Sequence, residues 1–203
     1  MFDNLTGPIE PAGPDPQAIM KSVRESLCAY FEESSPGEAQ LTFLGSTPLK
    51  LLRFGPDKDR MVTYATLGCS AEPMQDPSAM VVDPTSGPRA ELVIPIRGGL
   101  DAIIRPLGIL AASPSIEGLV LTDGALIDFG SPLWEHAPFT GFVLTRSEIP
   151  PVRADGADVT IFQPIPATTN EFALARAKGS EELLRIWREQ GVDFSDPHRT
   201  SAV

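Results

Sequence analysis

Proline and glycine punctuate this chain so often that no element can run far before it meets a breaker. Together they supply 38 of its 203 residues, roughly a fifth where average usage gives about an eighth. They show no three-residue period, which excludes a collagen-like helix. Their placement is uneven. Pro8, Pro11 and Pro14 mark a lead-in over 1–14, and Pro73, Pro77, Pro84 and Pro88 fill a long connection over 68–89. The others bound short apolar runs, as turn residues do between strands. Apolar residues make up 42% of the chain, too many for disorder. The pattern is that of an ordered domain with short elements and long connections.

A helix is expected to start at Asp15, an N-cap, with Pro16 at its first position. Ile19, Val23, Leu27, Tyr30 and Phe31 recur at helical spacing, and Ser34-Ser35-Pro36-Gly37 ends it. Cys28 lies near the apolar face. Strands are expected over 41–44, 49–54, 60–67 and 90–96, then a helix over 100–112 that Pro106 should kink or shorten. Asp123-Gly124 predicts a hairpin joining 118–122 to 125–129. Further strands follow at 139–146 and 158–165. Thr168 and Glu171 form a capping box for a helix ending at Gly179. Ser180 should cap a last helix over 181–190, whose apolar stripe is Leu183, Leu184 and Trp187. Residues 194–203 read as a tail. Helices and strands neither alternate nor segregate, so the expected class is α+β: one domain over 15–193, with a mixed, mainly antiparallel sheet and helices packed on it.

Sixteen Lys and Arg against 27 Asp and Glu give a formal charge of −11. Such a surface opposes nucleic acid and anionic lipid and favours a basic protein partner. No signal sequence or apolar span is evident, so a cytoplasmic location is expected and Cys28 and Cys69 should be free thiols. Arg outnumbers Lys 12 to 4, which points to a GC-rich bacterial genome.

No pattern in the chain supplies metal ligands, a cofactor loop or a catalytic set. Gly68-Cys69-Ser70-Ala71-Glu72 half matches a nucleophile elbow, but Glu72 stands where the tight turn needs a second Gly. An enzyme using Cys69, Ser70 and Glu72 on the 68–89 connection remains an alternative, and so does a regulatory module with a small ligand. Gly98-Gly99, with Arg97 and Arg105 nearby, lacks a phosphate-binding motif. Trp134-Glu135-His136-Ala137-Pro138-Phe139 is either a partner-binding patch or a loop that plugs the core.

Thr66, Gly68, Ser70, Pro73 and Met74 resemble, in order and spacing, the signature of the suppressor-of-fused (SUFU-like) domain family. Ala90-Glu91-Leu92-Val93-Ile94-Pro95 resembles the family's next strand, and 159–179 its closing strand, turn and helix. Cys69 stands where the signature commonly has Met. The resemblance implies a bacterial member of a non-catalytic, protein-binding α+β family. Animal members add a transcription-factor peptide to a sheet, and bacterial ones are proposed as immunity proteins against toxins. Thr66, Gly68, Ser70, Pro73, Met74, Glu91, Trp134 and His136 are therefore the expected partner-binding residues, with no cofactor and no metal.

Overall fold

The structure, a computed structural model, describes residues 13–44, 48–75 and 85–203. The expected lead-in lies outside these except for Gly13 and Pro14, as do the turn at 45–47 and residues 76–84 of the long connection.

Helix α1 (Pro16–Tyr30) begins where the sequence places it. Asp15 Oδ1 accepts from Gln17 N, and Pro16 occupies the first position. Ile19, Val23 and Leu27 are fully buried, and each contributes about 1.5–3 kcal/mol by leaving water. The helix stops at Tyr30, short of Ser34, because Glu32 turns into the left-handed region at φ 53°.

Strands β1 (Gly37–Leu41), β2 (Leu49–Phe54), β3 (Met61–Leu67) and β4 (Arg89–Arg97) form an antiparallel meander. The strand expected at 41–44 instead runs from Gly37 to Leu41, which pairs with Leu49. Helix α2 (Ile104–Glu117) follows a short 3-10 turn at Asp101–Ile103. The expected break at Pro106 does not occur. Pro106 is the third helical residue, where no intrahelical partner exists for a backbone N–H. The helix also runs through Pro114 and ends on left-handed Gly118.

The expected hairpin across Asp123-Gly124 does not form. Residues 118–122 are not a strand, and β5 (Leu126–Asp128) pairs with β6 (Phe139–Arg146). Gly124 N instead donates to the Leu144 carbonyl. Strand β7 (Val152–Ala154), unforeseen, makes a hairpin with the long β8 (Ala157–Thr168). Helices α3 (Thr169–Lys178) and α4 (Ser180–Glu189) close the domain. Thr168 makes the expected capping box. Ser180 is α4's first helical residue and makes no side-chain cap.

The eight strands form one sheet of order β1-β2-β3-β4-β8-β6-β5, with β7 beside the start of β8. It is mainly antiparallel, and β4 runs parallel to β8. Alternation along each strand feeds two faces. Leu52, Phe54, Ala65 and Leu67 pack under α1, while Leu49, Leu51, Val62 and Tyr64 share a core with Leu107 and Leu110 of α2. Val143, Ile165 and Ala167 pack with Phe172, Leu183 and Trp187 of α3 and α4. Among the described residues no helix is long and apolar enough to cross a membrane.

The β5–β6 contact leaves no room for a side chain at Gly141. A Cβ there would sit 2.0 Å from the Ile127 carbonyl oxygen and 2.7 Å from Asp128 Cα. Gly141→Ala should lower stability by about 1–3 kcal/mol through overpacking, read as an earlier midpoint in urea. An unchanged midpoint would refute this packing.

Candidate functional site

Three residues of the Thr66–Met74 pattern, Thr66, Gly68 and Ser70, converge on one side chain of β4. Glu91 is fully buried. Its Oε1 accepts from Gly68 N at 2.8 Å, Ser70 N at 3.0 Å and Ser70 Oγ at 2.6 Å. Its Oε2 accepts from Thr66 Oγ1 at 2.5 Å. Thr66 Oγ1 also accepts from Leu92 N at 2.8 Å. The β3–β4 register ends at Ala65↔Val93, so the threonine hydroxyl takes over where the backbone ladder stops.

Spacing along the loop follows from this arrangement. Gly68 sits at φ 123°, a conformation that side-chain-bearing residues rarely adopt. This starts the 3-10 turn Cys69–Ala71 and aims the N–H groups of residues 68 and 70 at the carboxylate. Arg89, two residues before Glu91 and so on the same face of β4, takes the other end of the turn. Its Nη1 donates to the carbonyls of Ser70 at 2.8 Å and Ala71 at 2.7 Å. One strand thus holds both the donors and the acceptors of the loop. Burial pulls the Arg89 guanidinium below its ordinary pKa, against the attraction of Glu72.

Placement sorts the eight expected contact residues. Thr66, Gly68, Ser70 and Glu91 come together, but inside the protein. Met74 is also buried, its sulfur accepting from Leu121 N at 3.3 Å, and Pro73 is half-buried. Trp134 belongs to the α2-side core, its ring 5.6 Å from that of Phe139. Of the eight, His136 alone is well exposed.

The alternative catalytic trio does not assemble. Cys69 is buried, and burial first and Glu91 second push its thiol well above the ordinary value. Ser70 Oγ is committed to Glu91, and Glu72 is exposed. Among the described residues no three His, Cys, Asp or Glu side chains form a group that could hold a metal ion.

A second buried carboxylate gave less sign of itself in sequence. Glu171 completes the capping box by accepting from Thr168 N at 2.8 Å. It also accepts from Trp187 Nε1 at 2.8 Å and from Arg199 at 2.7 and 3.1 Å. Burial alone would raise its pKa. The bonds from Arg199, Thr168 and Trp187 outweigh that and hold it below the usual carboxylate value. Residues 194–203, read as a tail, therefore lie against the domain, with the Ser195 carbonyl accepting from Arg97 N. The signal was present in the fixed Glu171 of the capping box, but a cap glutamate is ordinarily solvated, and nothing in the local pattern points 28 residues ahead to Arg199.

The thiols provide a check. In the folded protein a neutral alkylating reagent should modify half-buried Cys28 and leave Cys69 untouched until the protein unfolds. Cys69 reacting as fast as a free thiol at neutral pH would contradict this geometry and restore the catalytic alternative.

Comparison with known proteins agrees with this architecture. No curated protein matches the sequence. Among solved structures, a protein from Neisseria gonorrhoeae FA 1090, described as a SUFU (suppressor of fused protein) homolog, superposes with a TM-score of 0.66 at 19% identity, over 90% of this chain and 96% of that one. A chain of the Sufu–Fu complex gives 0.67 at 13%, over 93% and 92%. Drosophila Suppressor of Fused gives 0.62 at 14%, over 96% of this chain but 54% of that one, so the present chain spans about half its length. At such identities the likeness is one of fold. The family model for Suppressor of fused protein (SUFU), however, matches residues 45–200, a stretch that contains both carboxylate clusters, and the chain belongs to that family.

Proposed function

We propose that this chain is a non-catalytic protein-binding domain, and that it acts in the cytoplasm as an immunity-type protein neutralising a basic toxin domain. The observation that carries the reading is the outer edge of β1, the first strand in the sheet order. Gly37, Glu38 and Gln40 are exposed there, and no described strand pairs beyond them. Such an edge offers backbone N–H and C=O groups to an incoming strand. The Sufu–Fu complex supports binding of a protein partner by a domain of this fold. The charge of −11 supports steering of a cationic partner toward it.

The reading as a small-ligand module rests on an open groove of about 560 Å³ between α1 and β2–β3, flanked by Met20, Leu67, Lys21, Arg24 and Lys50. All three of its cations are already paired, Arg24 and Lys50 with Glu38 and Lys21 with Glu25. That leaves less charge for a ligand, and the protein-binding reading is the stronger.

Co-purification from the native host should return a stoichiometric basic protein encoded by a neighbouring gene. Its association should weaken markedly between about 0.05 and 0.5 M salt, as screening shortens the reach of charge. Recovery of no stoichiometric partner, with the products of neighbouring genes also tested, would overturn the proposal.

A further inference from the structure

Residues 194–203 are fastened by an arginine seated in a cage that the rest of the domain builds without it. The floor is Glu171 and the walls are Phe139 and Trp187, all three fully buried. Thr168 N and Trp187 Nε1 orient the carboxylate, so it is set in place by α3, α4 and the end of β8. Arg199 Nη1 donates to Oε1 at 2.7 Å and Nη2 to Oε2 at 3.1 Å, and Nη2 also donates to the Pro166 carbonyl at 2.6 Å. Its guanidinium carbon lies 4.9 Å from the Phe139 ring centre and 5.2 Å from that of Trp187. Two parallel bonds to one carboxylate and two aromatic faces match a planar guanidinium and mismatch an ammonium.

The strap has other ties, among them the Phe194 ring 5.3 Å from that of Trp187 and Gln190 Nε2 donating to the Ala202 carbonyl at 3.0 Å. The Ser195 carbonyl accepts from Arg97 N, Ser201 Oγ meets Thr168 Oγ1, and Ala202 N donates to Glu171 Oε1. An open cavity of about 400 Å³ lies between the strap and Gln190, Val192 and Asp193. Among the described residues Arg199 makes the one ion pair between the strap and the rest of the domain, and the cavity opens beside it.

We propose that this cage is an arginine-binding site, that residues 194–203 are its ligand in cis, and that an arginine-bearing segment of another polypeptide can take their place. The cage lies among β6, β8, α3 and α4, at the other end of the sheet from β1, so it is independent of the edge that carries the proposed function.

The probe is a synthetic peptide of residues 194–203, with versions carrying Arg199→Lys and Arg199→Ala. Titrated into the full chain bearing R199A, with folding verified by near-ultraviolet circular dichroism, the native peptide should bind. The lysine version should bind about tenfold or more weakly, and the alanine version not measurably. Equal binding of all three, or binding of none to the folded variant, would overturn the proposal. The wild-type chain gives a second readout should R199A fail to fold. Excess native peptide should speed hydrogen exchange at Ala202 N–H severalfold while the alanine peptide leaves it unchanged. No acceleration by the native peptide would also overturn it.

Discussion

The Glu91 carboxylate holds together a place in this fold where two kinds of strand pairing meet. Above it, β4 pairs antiparallel with β3, and at its own level β4 pairs parallel with β8. Between these regimes the β3 ladder ends and the chain must turn away inside the protein, leaving backbone donors with no strand partner. Glu91 accepts from two of them and from two hydroxyls. An unpaired buried donor costs about 1–3 kcal/mol, so a loop of this shape without the carboxylate would be unstable. Arg89 completes the arrangement by donating to the loop's inward carbonyls. The order Thr66, Gly68, Ser70 is thus a set of donors spaced to meet one acceptor.

Glu171 repeats the same logic where β8 runs into α3. It gathers donors from β8, α4 and the 194–203 strap, and it is paired with Arg199 inside the protein. Breaking such a pair from one side costs about 3–5 kcal/mol, because the remaining charge stays buried. Two interior carboxylates therefore fix the two halves of the sheet. Buried and bonded within the domain, Thr66, Ser70, Glu91 and Glu171 serve its structure.

Much of the fold was legible because the local signals were strong. Asp15-Pro16 with Ile19, Val23 and Leu27 specified α1, apolar runs bounded by turn residues specified β2 and β3, and the Thr168–Glu171 box specified the start of α3. The failures share a cause in tertiary context. Pro106 reads as a breaker until its place in the first helical turn is known. Asp123-Gly124 reads as a hairpin, but 126–128 finds its partner in β6, where Gly141 alone permits the close approach. The short β7 carries no pattern of its own and exists because β8 pairs with it. The resemblance expects Thr66, Gly68, Ser70 and Glu91 among eight partner-binding residues, and the structure brings these four together inside the protein. Spacing could not reveal that the group faces inward, since a buried Glu with four donors and an exposed Glu look alike in sequence. Arg199 was hidden for the same reason, since its partner lies 28 residues away.

Glu91 holds the Thr66–Ser70 segment within the domain's most stable core. Hydrogen exchange at the Gly68 and Ser70 amides tests it most directly, because both N–H groups end on that carboxylate. Both should exchange only through global unfolding, with protection equal to that of the β3 and β4 core amides. Exchange at rates typical of a surface loop would contradict it.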